Sequence, residues 1–173
     1  MKKKYYIIAL LVSMANSVDA QIQRNFGGII LGETTLHQAQ DILEKKGMEV
    51  FVREDDDSVF KIENYLFEGT IWSTAVFFFN NDKLNNVYLS ETEENTPRKD
   101  IEARWKKLHN TFTTKYRGVM VENVSNDDEL LFEDGKSRLL ASYMDYGEYV
   151  GIALFYTDKS QLREEYKADI QNE

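Results

Sequence analysis

The side chains whose types could do chemistry are few: two histidines, His37 and His109, and two acidic runs, Asp55-Asp56-Asp57 and Asp127-Asp128-Glu129. Each histidine falls on a different expected helix, and neither has a cysteine or a second histidine at ligand spacing, so a metal-bound or general-base role lacks its partners. The acidic runs concentrate carboxylates but miss the alternating D-x-D-x-D-G order that wraps oxygens around calcium; they read as solvated turns. Glu93-Glu94 is a carboxylate pair in a polar linker ahead of Pro97. The sequence contains no nucleophile elbow, glycine-rich phosphate loop or H-E-x-x-H helix. Trp105 could stack on a sugar ring, yet it falls in an apolar helical stripe and reads first as core. No catalytic residue, metal ligand or cofactor is therefore assigned, and the chain is expected not to be an enzyme; a hydrolase with an unrecognised site is the remaining enzymatic reading.

Composition narrows the partners. The 173 residues carry a formal charge of -9, and a chain so acidic is repelled by phosphate backbones, which argues against nucleic acid. The chain opens with Lys2-Lys3-Lys4, an apolar run from Tyr5 to Val12, and small residues at Val18 and Ala20. That order is the grammar of a secretory signal peptide over 1–20, cleaved near Ala20-Gln21, and it predicts a periplasmic or extracellular protein. Removing it takes three lysines and Asp19 (net +2) and leaves the mature part near -11. With no cysteine, a disulfide framework, a thiolate site and the acylated cysteine of bacterial lipoproteins are all excluded, so no lipid anchor is expected, and an apolar run as short as Tyr5 to Val12 is not expected to span a membrane. An aromatic share of 13% is too high for a disordered chain. The oligomeric state is not legible.

The elements that must position these side chains follow from periodicity. Gln21 to Ile30 reads as a leading strand or arm. Thr35-Leu36-His37-Gln38 has the form of a capping box, and Leu36, Ala39, Ile42 and Leu43 repeat at helical spacing up to Gly47. Strand patterns follow at Met48 to Arg53, Val59 to Phe67, Thr70 to Phe79 and Leu84 to Glu91, with a tight turn at Asn80-Asn81-Asp82-Lys83. Pro97 opens a second helix whose stripe is Ile101, Trp105, Leu108, Phe112 and Tyr116, closed by Arg117-Gly118. Strands recur at Val119 to Val124, Leu130 to Glu133, Ser137 to Tyr146 and Tyr149 to Thr157. A terminal helix over 159–171 has a thin apolar edge of Leu162, Tyr166 and Ile170.

The halves echo one another. Lys46-Gly47 matches Arg117-Gly118, the turn Glu54 to Asp57 matches Asn126 to Glu129, and Phe67-Glu68-Gly69 matches Glu133-Asp134-Gly135 at a slightly shorter shift. The simplest organisation is a single α+β domain over 21–173, made of two tandem helix-plus-antiparallel-meander units at about 28–92 and 96–158, with the helices on one face of the sheet. The opening Ile30-Leu31-Gly32-Glu33-Thr34-Thr35, followed by Ala39, Leu43 and Gly47 and partly repeated before Gly118, resembles the units of the β-lactamase-inhibitor-protein-like fold. That fold is shared with small outer-membrane-assembly lipoproteins and is close to PepSY-like modules. The resemblance implies a protein-binding sheet surface without enzyme activity. An envelope-assembly or structural accessory role is the alternative it implies.

A half-solvated sheet should alternate apolar and polar residues, but these strands are apolar on both faces, so tyrosine and phenylalanine exceed what one core needs. With Asn80 facing Lys83 across a two-residue turn, an unbroken register sets Trp72, Val76, Phe78, Val87 and Leu89 on one face. The other face then gathers Ser73, Ala75, Phe77, Phe79, Asn86, Tyr88 and Ser90, a mixture expected of a half-exposed interface. In the second half Gly147-Glu148 fits a tight turn with Tyr146 opposite Tyr149, and either face could be inward. Phe77, Phe79 and Tyr88, extended by Tyr146 and Tyr149, are therefore the expected docking residues for a protein or peptide partner, with the acidic rim steering basic partners. Covering of this face by the leading arm, the terminal helix or the other unit is the competing reading.

Overall fold

The computed structural model describes residues 21–52 and 57–160. The expected signal peptide, the acidic residues Glu54, Asp55 and Asp56, and the terminal helix beyond Ser160 lie outside that range. Among the described residues no helix is long and apolar enough to cross a membrane.

The chain is α+β. A hairpin of β1 (Asn25–Phe26) and β2 (Ile29–Ile30) precedes helix α1 (Leu36–Lys45). Four strands follow: β3 (Phe51–Val52), β4 (Val59–Phe67), β5 (Thr70–Asn80) and β6 (Lys83–Thr92). Helix α2 (Arg98–Lys115) ends in a 3-10 turn over Arg117–Val119 and leads to β7 (Glu129–Glu133), β8 (Ser137–Asp145) and β9 (Val150–Asp158). The last seven strands make one antiparallel sheet in the order β3-β4-β5-β6-β9-β8-β7. Its halves meet where β6 pairs with β9, from Asn86 opposite Thr157 to Thr92 opposite Gly151.

Local chemistry sets the ends of these elements. Thr35 accepts the Gln38 amide at 3.2 Å and the Gln38 side chain accepts the Thr35 amide at 3.0 Å, the reciprocal bonds of a capping box. Pro97 caps α2, where its missing N–H costs nothing. Asn81 and Asp82 both take positive φ (49° and 59°), the geometry that lets a two-residue hairpin follow the sheet twist, and Asn80 pairs with Lys83.

Three expected strands differ. Gln21 to Ile30 folds back at Gly27 and Gly28, whose φ values of 66° and 99° suit glycine, and forms a hairpin instead of one strand. Of the expected strand Met48 to Arg53, the described residues 48–52 pair only through Phe51 and Val52. Val119 to Val124 is a 3-10 turn followed by one bridge from Met120 to Phe132. The Val124 and Ser125 amides both turn back to the Val121 carbonyl, which ends pairing before a strand can grow.

Both helices pack against one face of the sheet. Ala39 and Leu43 of α1 and Ile101, Trp105 and Phe112 of α2 join a cluster with Phe60, Phe77, Leu89, Phe132, Leu154 and Tyr156. Phe112 meets Phe132 edge-on at 6.2 Å, and Phe26 of the hairpin meets Tyr156 edge-on at 5.0 Å. Two asparagines decide which side chains reach this core. Asn64 takes φ 54° inside β4, so the inward set switches from Phe60 and Ile62 to Tyr65 and Phe67, and all four are buried. In β6 the register slips past Asn85, so that Phe79 faces Leu84 while Phe78 faces Asn86. The bulge brings Leu84, Val87 and Leu89 to one face although their spacing breaks the two-residue period, and each is fully buried.

The leading arm is held by a charged lock. Arg24 contacts Asp158 at 2.6 Å and the Ser137 hydroxyl at 2.6 Å, and Asp158 accepts the Ser160 amide at 2.9 Å. Burial pushes the Asp158 carboxyl up, but these donors prevail and hold it below its ordinary pKa.

Candidate binding surface

The five residues expected to dock a partner divide between two faces. Phe77 and Phe79 are core: Phe77 is fully buried, stacks on Phe60 at 5.1 Å and meets Tyr65 edge-on at 5.5 Å, while Phe79 packs on Phe60 at 5.3 Å. Their expected half-exposure is overturned, and the bulge at Asn85 is the cause, because an unbroken register would have put Phe77 beside Tyr88 on one face. Tyr88 does face outward, half-buried on the side of the sheet away from the helices.

What lies around Tyr88 is a row that runs straight across the sheet. Val76 pairs with Tyr88, Tyr88 with Phe155, Phe155 with Leu140, and Leu140 with Leu131, one residue from each of β5, β6, β9, β8 and β7. All five are half-buried, and none belongs to the cluster that both helices join. Phe155 sits at the centre, with its ring centroid 6.4 Å from Tyr88 and 6.5 Å from Phe78. Small residues flank the row on one side, where Ser90 faces Ala153 and Ala153 faces Ser142. On the other side Asn86, Thr157, Arg138 and Glu133 form a polar file. In the second half, where the sequence left the inward face open, Leu130, Phe132, Leu139, Leu154 and Tyr156 turn in, and Leu131, Leu140 and Phe155 turn out.

Tyr146 and Tyr149 continue this outward face beyond the ends of β8 and β9. The Tyr146 amide donates to the Tyr149 carbonyl at 2.9 Å, and the rings stack at 6.4 Å with 76% and 37% of each residue exposed. Gly151 allows close approach here: a Cβ there would stand 3.0 Å from the Glu91 carbonyl oxygen, 3.3 Å from the Met144 methyl and 3.4 Å from the Tyr149 hydroxyl. Burial, followed by the charges of Tyr88, Glu94 and Tyr146, raises the Tyr149 phenol above its ordinary pKa. Geometry thus brings Tyr88, Tyr146 and Tyr149 to one surface, adds Val76, Phe78, Leu131, Leu140 and Phe155 to it, and removes Phe77 and Phe79. The missed residues were legible as apolar positions, but their direction hung on the bulge.

Of the chemistry-bearing residues, His109, Asp127 and Asp128 line one pocket of about 440 Å³ with Glu102 and Trp105, while His37 stands apart from them. His37 is exposed on α1 with Asp41 at 4.0 Å, and His109 lies edge-on to Trp105 at 5.8 Å. Trp105 is 6% exposed, donates to the Asp127 carbonyl at 2.9 Å and stacks on Tyr143, so it is core. The run at Asp127 is a turn in which the Asn126 side chain accepts the amides of Asp128 and Glu129, each at 2.9 Å. Among the described residues no three His, Cys, Asp or Glu side chains converge as a metal would require.

The fold and surface define an α+β protein whose antiparallel sheet carries helices on one face and an apolar row on the other. No family model, curated protein or solved structure matches the chain.

Proposed function

We propose that this is a non-enzymatic binding protein, secreted or periplasmic, that docks a protein or peptide partner on the outer face of its sheet. The observation that carries this reading is the cross-strand row from Val76 through Tyr88 and Phe155 to Leu131, apolar on the face that adds nothing to the core. Aromatic anchors ringed by small and polar residues are the composition of interface hot spots. The partner this suits is a protein segment with an apolar face in a basic setting, because a chain of formal charge -9 steers positive partners toward itself. The secretory location rests on residues 1–20 alone.

The same reading takes the molecule as two helix-plus-meander units. What supports it is that a helix and four successive strands, the first only two residues long, precede the central seam on one side, and a helix and three strands meet it from the other, last strand to last strand. Such an arrangement sets the outer-face side chains of both units side by side, with Tyr88 from the first and Phe155 from the second.

Capture from an extract of the source cells tests the proposal. A Tyr88→Asp, Phe155→Asp variant with native circular dichroism should lose a partner that the unaltered chain holds, whereas a Lys107→Glu control on α2 should keep it. A partner retained equally by the double variant would place the interface elsewhere.

A further inference from the structure

On the helix side of the sheet a second surface is open. Helix α2 does not close over the tip of the β4–β5 hairpin, and a cleft of about 610 Å³ remains between them, within the range of small-ligand pockets. Its floor is apolar, built from Phe67, Trp72, Phe112 and Leu154, with Leu108 on the helix wall. Ile71 borders it through its carbonyl, which accepts from Arg104; its side chain alternates with the inward Trp72 and, like Leu66 across the hairpin, is exposed on the other face of the sheet.

The lip is cationic. Arg104 lies over the Trp72 ring at 4.3 Å, binds Glu91 at 2.9 Å and donates to the Ile71 carbonyl at 3.0 Å. Its Nε is buried and makes no hydrogen bond among the described residues, a donor left over after the guanidinium has used its other contacts. Lys107 follows on the same helix, exposed and forming no ion pair among the described residues. The one carboxylate on the lining, Glu68, is already held by Lys115 at 2.7 Å. Free positive charge over an apolar floor runs against the acidic balance of the whole chain.

We infer that this cleft binds an anionic amphiphile, a single alkyl chain with a carboxylate head. The chain lies along Phe67, Trp72 and Leu108, and the head meets Lys107 and the outer edge of Arg104. Cationic and neutral amphiphiles of the same length lack the head-group contact, and this site is separate from the outer face proposed to bind protein.

Calorimetric titration of the full chain with sodium dodecanoate below its micelle concentration, beside dodecyltrimethylammonium with the same tail, tests the inference. Dodecanoate should bind at one site and the cation should not; Lys107→Glu and Thr111→Asp, both at exposed positions on the lining, should each weaken binding on the order of tenfold. Tyr88→Asp on the opposite face should leave it unchanged. Because the chain has two tryptophans, a Trp105→Phe protein reports from Trp72 alone, and a dodecanoate brominated on its chain should quench it. Equal binding of both amphiphiles, binding indifferent to Lys107→Glu and Thr111→Asp, an unquenched Trp72, or no binding would each overturn the assignment.

Discussion

Tyr88 of β6 stands directly opposite Phe155 of β9, with ring centroids 6.4 Å apart, on the sheet face turned away from both helices. The pair straddles the seam where the two halves of the sheet join, so the centre of the outer face is built by residues 67 positions apart in the chain (155 less 88). Replacing either ring by Asp should leave the fold intact, since neither belongs to the core cluster, and should shift the denaturant midpoint far less than Phe77→Asp. Burying an unpaired carboxylate at Phe77 should prevent folding.

Glu91 and Arg104 form the most buried ion pair between α2 and the sheet, with side chains 4% and 21% exposed. Ser73 and Thr96 hydroxyls also donate to the same carboxylate. Glu91→Ala should cost about 3–5 kcal/mol by urea unfolding, because it strands the guanidinium in a site where burial already lowers its pKa. An added Arg104→Met should recover much of that loss.

Asp158 makes stability depend on acid. Its folded pKa is depressed relative to the unfolded chain, so its contribution is fully present above the ordinary carboxylate pKa and is lost as pH falls through the lower folded value. Thermal melts of the native chain should therefore steepen their decline below about pH 4, and Asp158→Asn should remove that part of the slope. A slope unchanged in the variant would assign it to other carboxylates.

Gly32 has φ 79°, and a Cβ there would lie 2.1 Å from Asp158 Oδ2 and 2.7 Å from an Arg24 nitrogen. Gly32→Ala must strain the backbone and break the Arg24–Asp158 lock together. A loss of about 3 kcal/mol or more by urea titration is expected.

Asn64 carries the switch of inward face in β4. At φ 54° a β-branched side chain is strained, so Asn64→Val should destabilise by about 1–2 kcal/mol while Asn64→Gly is tolerated.

Much of this architecture was legible in the residues. Val59 to Phe67 reads as a strand and is one; the Thr35–Gln38 capping box, the proline start of α2 and the turn at Asn81-Asp82 follow from local chemistry. The exposed or buried direction of Phe77 and Phe79 did not, because a single unpaired residue at Asn85 reverses the parity of everything before it. The apolar positions Leu84, Val87 and Leu89 held the signal, since their spacing can share one face only through a bulge. In β7 and β8 both parities are apolar, and the choice of Phe132 over Leu131 as the inward residue depends on Phe112, twenty residues earlier, which no local pattern encodes.

Hydroxyl-radical footprinting with and without the captured partner tests the central claim most directly, because it reads side chains on a sheet face whose backbone amides are already paired. Tyr88 and Phe155 should label in the free protein and become protected in the complex, together with Leu140 and Tyr149, while His37 on the exposed side of α1 stays unchanged. Labelling of Tyr88 and Phe155 that is the same in the complex as in the free protein would contradict docking on the outer face.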